Sequence, residues 1–264
     1  MFGKLLSKFF PNNKSNPINI PQSWEVFTRV MDEKMAIIRT NVALMDKIPI
    51  SEYGYRINIV IKSQHLTENG LPNQEENHLL GILEDELFEK IQSSNIIATS
   101  VMKWDNKTYF FIYSKESQLE QSVIELLNSR IETERLKIVV EEDKDWMGYK
   151  DLLYPNVYDR RIMENNKVKQ VLMENGDDFS KQRNIEHWCY FKTQEDTATF
   201  LEKIDQERYT VFSNDKIDEG AYLYQVGLSH MECIDNIDTV TLELLQLAEV
   251  SGGSYDGWGC HITK

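Results

Sequence analysis

Tyr255-Asp256-Gly257-Trp258-Gly259-Cys260 reads as the closing strand of this chain. Strand side chains alternate between two faces, so Gly257 and Gly259 leave one face bare over two successive sites. Trp258 projects to the other face, flanked by Asp256 and Cys260. Glycine inside a strand marks a bulge or a close approach of another backbone. Working back from this strand, Gly252-Gly253 ends a helix that begins at Asp235 or Asn236 and carries Val240, Leu244, Leu245 and Ala248 inward. Ala221 to His230 and Tyr209 to Ser213 read as strands. Thr193 caps a helix with Phe200, Leu201 and Ile204 inward, and Arg183 to Phe191 is a further strand. The order is βαββαβ, preceded by one helix, Asp159 to Glu174, that stops at Asn175-Gly176.

The first half repeats the pattern without evident sequence repetition. Trp24 to Val30 and Lys34 to Val42 alternate as two strands around the turn Met31-Asp-Glu-Lys34. Tyr55 to Ile61 is a strand, and Asn73 caps a helix with Glu75 and Glu76 in its first turn and Leu79, Leu80, Leu83, Leu87 and Ile91 at helical spacing. Ile96 to Trp104 and Thr108 to Ser114 form a hairpin across Asp105-Asn106-Lys107. Ser117 is placed to cap a helix running to Asn128, with Leu119, Val123, Ile124 and Leu127 inward, and Leu136 to Val140 is the last strand. From Tyr55 onward this is again βαββαβ, the ferredoxin-like order, with two extra strands at an edge or over one face. The fold expected is therefore α+β: two tandem ferredoxin-like domains with antiparallel sheets and helices on one face. The expected boundaries are an N-terminal segment and linker over 1–21, a first domain over 22–145, a linker over 146–158 and a second domain over 159–264. Aromatics in that second linker (Trp146, Tyr149, Tyr154, Tyr158) point to packing on a domain rather than a free tether.

Composition narrows the function. The chain has 264 residues, 41% of them hydrophobic, enough for two ordinary cores. Its formal charge is −14, which repels nucleic-acid phosphates and suits a basic protein partner. Arg160-Arg161 is too small a cluster to make a nucleic-acid patch. Three widely spaced cysteines, Cys189, Cys233 and Cys260, form no disulfide framework and point to a reducing, cytoplasmic compartment. Met1 to Phe10 is broken by Gly3, Lys4, Ser7 and Lys8 and lacks a signal-peptide cleavage site. It reads as a frayed end that docks on the protein, with a membrane-surface turn as the alternative.

Glu174-Asn-Gly-Asp-Asp178, Ile185-Glu186-His187, Leu244 to Ala248 and Tyr255-Asp256-Gly257-Trp258-Gly259 make roughly the last hundred residues resemble the regulators of ribonuclease E activity, type B. That resemblance implies a ferredoxin-like fold and a protein ligand that binds the endoribonuclease and changes which transcripts it cuts, with no chemistry of its own. Gly70-Leu71-Pro72, the acidic helix with Glu84-Asp85-Glu86, and the Tyr109 to Tyr113 strand resemble the domain of unknown function 695, which brings no activity with it.

Candidate chemistry is sparse. His187, Cys189, Cys260 and His261 fall on neighbouring strands, but period two places Cys260 and His261 on opposite faces, so at most three could converge on a zinc ion. The other reading is a buried thiol and a half-buried histidine, with no metal. Asp256 and His187 could pair across the two strands, as in general-base chemistry or as a register-fixing structural pair. No phosphate loop or dinucleotide fingerprint occurs, and no cofactor is expected. Glu84-Asp85-Glu86 with Glu89, and Glu141-Glu142-Asp143, read as solvated faces.

The function expected is that of a non-catalytic, cytoplasmic bacterial regulator or adaptor that inhibits or redirects an endoribonuclease by binding a basic segment of it. Its expected contact residues are Tyr255, Asp256, Gly257, Trp258 and Gly259 with Glu186 and His187; the other reading of the strand is that its glycines let a helix sit close on the sheet while Trp258 fills the core. The alternatives are a hydrolase or metal-dependent enzyme using His187 and Asp256, and a structural module that self-associates through its sheets.

Overall fold

The computed structural model describes residues 20–91 and 95–264. Met1 to Phe10 and most of the 1–21 segment lie outside the described residues. The chain forms two compact units, one through Tyr154 and the other Pro155–Lys264. Among the described residues no helix is long and apolar enough to cross a membrane.

Unit 1 contains β1 (Trp24–Met31), β2 (Lys34–Asn41), β3 (Tyr55–Lys62), α1 (Gln74–Ile91), β4 (Ile96–Trp104), β5 (Lys107–Ser114), α2 (Gln121–Arg130) and β6 (Leu136–Glu142). The six strands make one sheet, ordered β1-β2-β4-β5-β3-β6, with every pairing antiparallel. The strands from β3 onward stand in the order second, third, first, fourth, and the β1–β2 hairpin extends the sheet beside β4. Tight turns join the hairpins: Asp32, Glu33, Asp105 and Asn106 all adopt positive φ, which matches the twist of two-residue hairpin turns. Asn73 caps α1, its Oδ1 accepting from Glu76 N at 3.0 Å. α2 starts later than the sequence suggested. Its N-cap is Glu120, which makes no side-chain cap bond, so Ser117 does not cap it. Leu79 also departs from the helical stripe and is exposed, while Leu80, Leu83, Leu87 and Ile91 are buried.

α1 and α2 cover one sheet face, where Ile57, Ile59, Ile61, Phe110 and Ile112 meet the helices. Alternation turns Tyr109, Phe111 and Tyr113 to the other face. That face is covered from 146 to 154: Trp146 stacks on Tyr113 with ring centroids 3.8 Å apart, and a π-helical turn, Gly148–Leu153, buries Tyr149 and Leu153. The stretch 146–158 thus runs with unit 1 as far as Tyr154 and with unit 2 from Pro155.

Unit 2 contains α3 (Val157–Glu174), β7 (Arg183–Phe191), α4 (Gln194–Lys203), β8 (Thr210–Glu219), β9 (Tyr222–Glu232), α5 (Ile237–Val250) and β10 (Gly253–Cys260). Its antiparallel sheet is ordered β10-β7-β9-β8, that is fourth, first, third, second. Capping boxes begin α3 (Asn156 with Asp159) and α4 (Thr193 with Asp196). Gly252, at φ +78°, ends α5. Side chains of α4 and α5 pack on Cys189, Phe191, Val226, Leu228 and Tyr255, while Leu172 of α3 and Ile237 of α5 pack on Ile185 and Trp258. All three helices therefore lie on one face of the sheet.

Candidate functional site

The closing strand is not regular. β10 pairs with β7 in register Tyr255↔Cys189 and then Gly257↔Trp188, so Asp256 is an extra residue in a β-bulge. The bulge reverses the alternation for everything before it. Tyr255 and Trp258, three residues apart, both face the helices and are buried at 2% and 9% exposure. Gly257 and Gly259 face the opposite side, and Asp256 is exposed. Arg161 of α3 holds the bulge: its Nη2 donates to the Tyr255 carbonyl at 3.2 Å and to the Asp256 carbonyl at 2.9 Å, and its guanidinium lies 4.6 Å over the Tyr255 ring.

Trp258 belongs to the core. Its Nε1 donates to Asn165 Oδ1 at 2.9 Å, and Asn165 in turn donates to Asp238 Oδ1 at 2.9 Å and Thr241 Oγ1 at 2.7 Å. Its ring packs with Leu172, Ile185, Ile234 and Ile237.

His187 and Asp256 do not pair. His187 is fully buried, and its Nδ1 bonds the Tyr255 hydroxyl at 2.8 Å, while the bulge turns Asp256 out to solvent. Around His187 stand His230, with ring centroids 5.0 Å apart, and Tyr209, 4.9 Å from His230. His187 Nε2, both nitrogens of His230 and the Tyr209 hydroxyl are buried without a protein hydrogen-bond partner. Burial, reinforced by His230 and Arg208, pushes the His187 pKa down to about 3. Burial and Arg208 push that of His230 down to about 4 against the pull of Glu232. Both imidazoles are neutral at physiological pH, and burial raises the Tyr209 and Tyr255 hydroxyl pKa values. The quartet keeps uncharged polar rings in the core and lacks the carboxylate that general-base chemistry at His187 required.

Among the described residues, no group of three or more His, Cys, Asp or Glu is placed to hold a metal ion. Cys189 is buried under the helices, Cys260 is half-buried at the far end of the strand, and His261 lies exposed beyond it. The Glu174-Asn-Gly-Asp-Asp178 run has a structural role. Asp177 forms a buried ion pair with Arg183 and accepts from Thr263 N at 2.8 Å, while Asp178 N donates to the Thr263 carbonyl at 2.8 Å. These contacts fasten the chain after β10 to the start of β7. In unit 1 the acidic face of α1 is paired rather than merely solvated, Glu84 with Arg39 and Glu86 with Arg130.

Of the seven expected contact residues, Tyr255, Trp258 and His187 lie inward, and Glu186, Asp256, Gly257 and Gly259 lie at the surface. The helix-free face of the sheet also carries residues that sequence reading did not single out. Trp188 sits beside Gly259, whose missing Cβ would lie 3.5 Å from the indole, and meets Phe212 edge-on at 6.4 Å. Phe212 occupies the space that a side chain at Gly227 would need. The alternation of 183–191 was the signal that could have found Trp188 and Tyr190, because they fall opposite Ile185, His187 and Cys189.

Residues 22–154, half of the chain, match the model of the family of unknown function 695. The chain belongs to that family. In this family-695 protein a second match covers residues 162–260, to the model described as regulator of ribonuclease activity B. The two matches correspond to unit 1 and unit 2. Among solved structures, an unknown protein from Galdieria sulphuraria aligns over 79% of this chain and 99% of its own, at 8% identity and a TM-score of 0.23. No curated protein matches.

Proposed function

We propose that this family-695 protein is a non-catalytic bacterial regulator that binds an endoribonuclease in the cytoplasm through unit 2 and inhibits or redirects its cutting. The match of residues 162–260 to the regulator of ribonuclease activity B carries this reading. Both units are read as ferredoxin-like domains, supported by the shared antiparallel strand order in which the four strands of each βαββαβ run lie fourth, first, third, second. The partner segment is basic, in keeping with a formal charge of −14. It docks at Glu186, Asp256, Gly257 and Gly259, while Trp258, Tyr255 and His187 shape that surface from beneath.

The test is reconstitution. Purified full-length chain is added to an endoribonuclease of the same cell and a structured transcript. Slower cleavage or a changed fragment pattern, with co-elution of the two proteins, is the expected result. Unchanged cleavage together with no complex at micromolar protein defeats the reading.

A further inference from the structure

We propose that the helix-free face of the unit 2 sheet is a docking surface for an arginine-rich segment of a partner protein; the proposal rests on the regulator reading above and specifies its chemistry. Three features of the face support it.

The first is aromatic. Trp188 and Tyr190 of β7 turn to this side, and Phe212, pushed out by a second bulge in β8 between Val211 and Ser213, is 47% exposed. Trp188 and Phe212 brace each other at 80° between planes, and Tyr190 is held by Gln225, whose Nε2 donates to its hydroxyl at 2.6 Å. Rings fixed in this way on a sheet lose little freedom when a ligand stacks on them.

The second is charge. The residues of β7–β10 whose register turns them to this face include the exposed carboxylates Glu186 and Asp215 and, among the described residues, no lysine or arginine. Asp256 adds a third exposed carboxylate at the β10 edge. A second copy of the chain would set these carboxylates against their like, and a nucleic acid would set phosphates against them, so the face disfavours both. A cation is the complementary ligand. Guanidinium, planar and weakly hydrated, stacks on aromatic faces while pairing with carboxylates, which an ammonium does less well.

The third is shape. Gly257 leaves bare backbone on β10 beside Trp188, whose indole lies against Gly259. A Cβ at Gly257 would find only Arg161 Nη1 within reach, at 3.8 Å, and that atom belongs to the bulge support. An extended segment can therefore lie close to β10 with its arginines over Trp188 and toward Glu186.

The experiment titrates full-length protein with a short arginine-rich peptide, the matching lysine peptide and a single-stranded RNA, by calorimetry. The arginine peptide is expected to bind more tightly than the lysine peptide and to weaken as salt rises. The exposed double variants W188A/F212A and E186Q/D215N, checked for native fold by circular dichroism, are each expected to weaken it about tenfold or more. Equal peptide affinity for wild type and both variants overturns the proposal, as does RNA that binds in place of the peptide and displaces it. The ribonuclease assay separates the two readings. If peptide binding depends on Trp188 and Glu186 but the ribonuclease is unaffected, the face stands and the regulator reading falls. If the ribonuclease binds wild type and W188A/F212A alike, the regulator reading stands and the face falls.

Discussion

Trp258 Nε1 donates to Asn165 Oδ1 at 2.9 Å, with Asn165 fully buried between β10 and α5. This bond ties the closing strand to α3, and the Asn165 amide carries the tie onward to Asp238 and Thr241 of α5. Asn165→Leu leaves the indole N–H unpaired in the core. Such an orphaned group costs about 1–3 kcal/mol. The expected outcome is a loss of about 2 kcal/mol in unit 2, read as faster amide hydrogen exchange in β10 with unit 1 exchange unchanged. Uniform protection in β10 after the substitution would show that the tie is dispensable.

Stability of unit 2 should fall in mild acid. His187 and His230 have folded pKa values of about 3 and about 4, below the ordinary 6.5. The unfolded chain therefore takes up protons first as the pH falls. The stability held by the neutral rings is complete above about pH 6.5 and declines toward their folded values, by up to about 1.4 kcal/mol per pH unit for each histidine. His230→Gln should reduce the slope by about half. Urea denaturation at a series of pH values between about 7 and 5 measures both slopes, and a flat stability over that range would remove the histidines from the account.

Gly253 should not tolerate a side chain. A Cβ there would collide with the Phe191 ring and lie 2.7 Å from the Tyr190 carbonyl oxygen. Phe191 is fully buried, so neither neighbour has room to move. Gly253→Ala is expected to cost about 2–3 kcal/mol by overpacking, whereas Gly70→Ala, with nothing near its Cβ, pays only the strain of its φ of +74°. Comparing the two melting temperatures separates collision from backbone strain.

In unit 1, Asp143 organises the cover of the second sheet face. Its carboxylate accepts from the Tyr113 hydroxyl at 2.5 Å, from Met147 N at 2.8 Å and from Gly148 N at 2.9 Å. Asp143→Ala removes all three bonds and is expected to cost about 3 kcal/mol. Quenching by acrylamide should then reach Trp146, which is fully buried in the native protein. Unchanged quenching would mean that the Tyr113–Trp146 stack holds the cover without the carboxylate.

Much of the fold was legible in the sequence. Alternation and helical spacing placed β7 on its observed residues, β9 and β10 within a few positions, and the start but not the end of β8. Asn73 and Thr193 capped their helices as their side chains suggested, because a cap is a local bond. Ser117 misled because α2 begins only at Gln121, beyond the position a Ser117 cap would serve, and β8 ran on to Glu219 because pairing with β9 extended it. Less of the candidate site was legible. The sequence marked Gly257, Gly259 and Asp256 as unusual but put Asp256 on the face of Trp258, within reach of His187, because regular alternation carries no sign of the bulge.

By itself the sequence determined the two βαββαβ runs, the acidity and the oddity of Tyr255 to Cys260, since these follow from composition, period and spacing, while the family rests on resemblance in particular motifs. Only the tertiary structure decided which way the odd strand faces. One unpaired residue at Asp256 shifts the alternation by one and carries Tyr255 into the core beside Trp258. A bulge is set by what supports it, here Arg161 on a helix 94 residues away in sequence, and no local pattern in β10 records that partner.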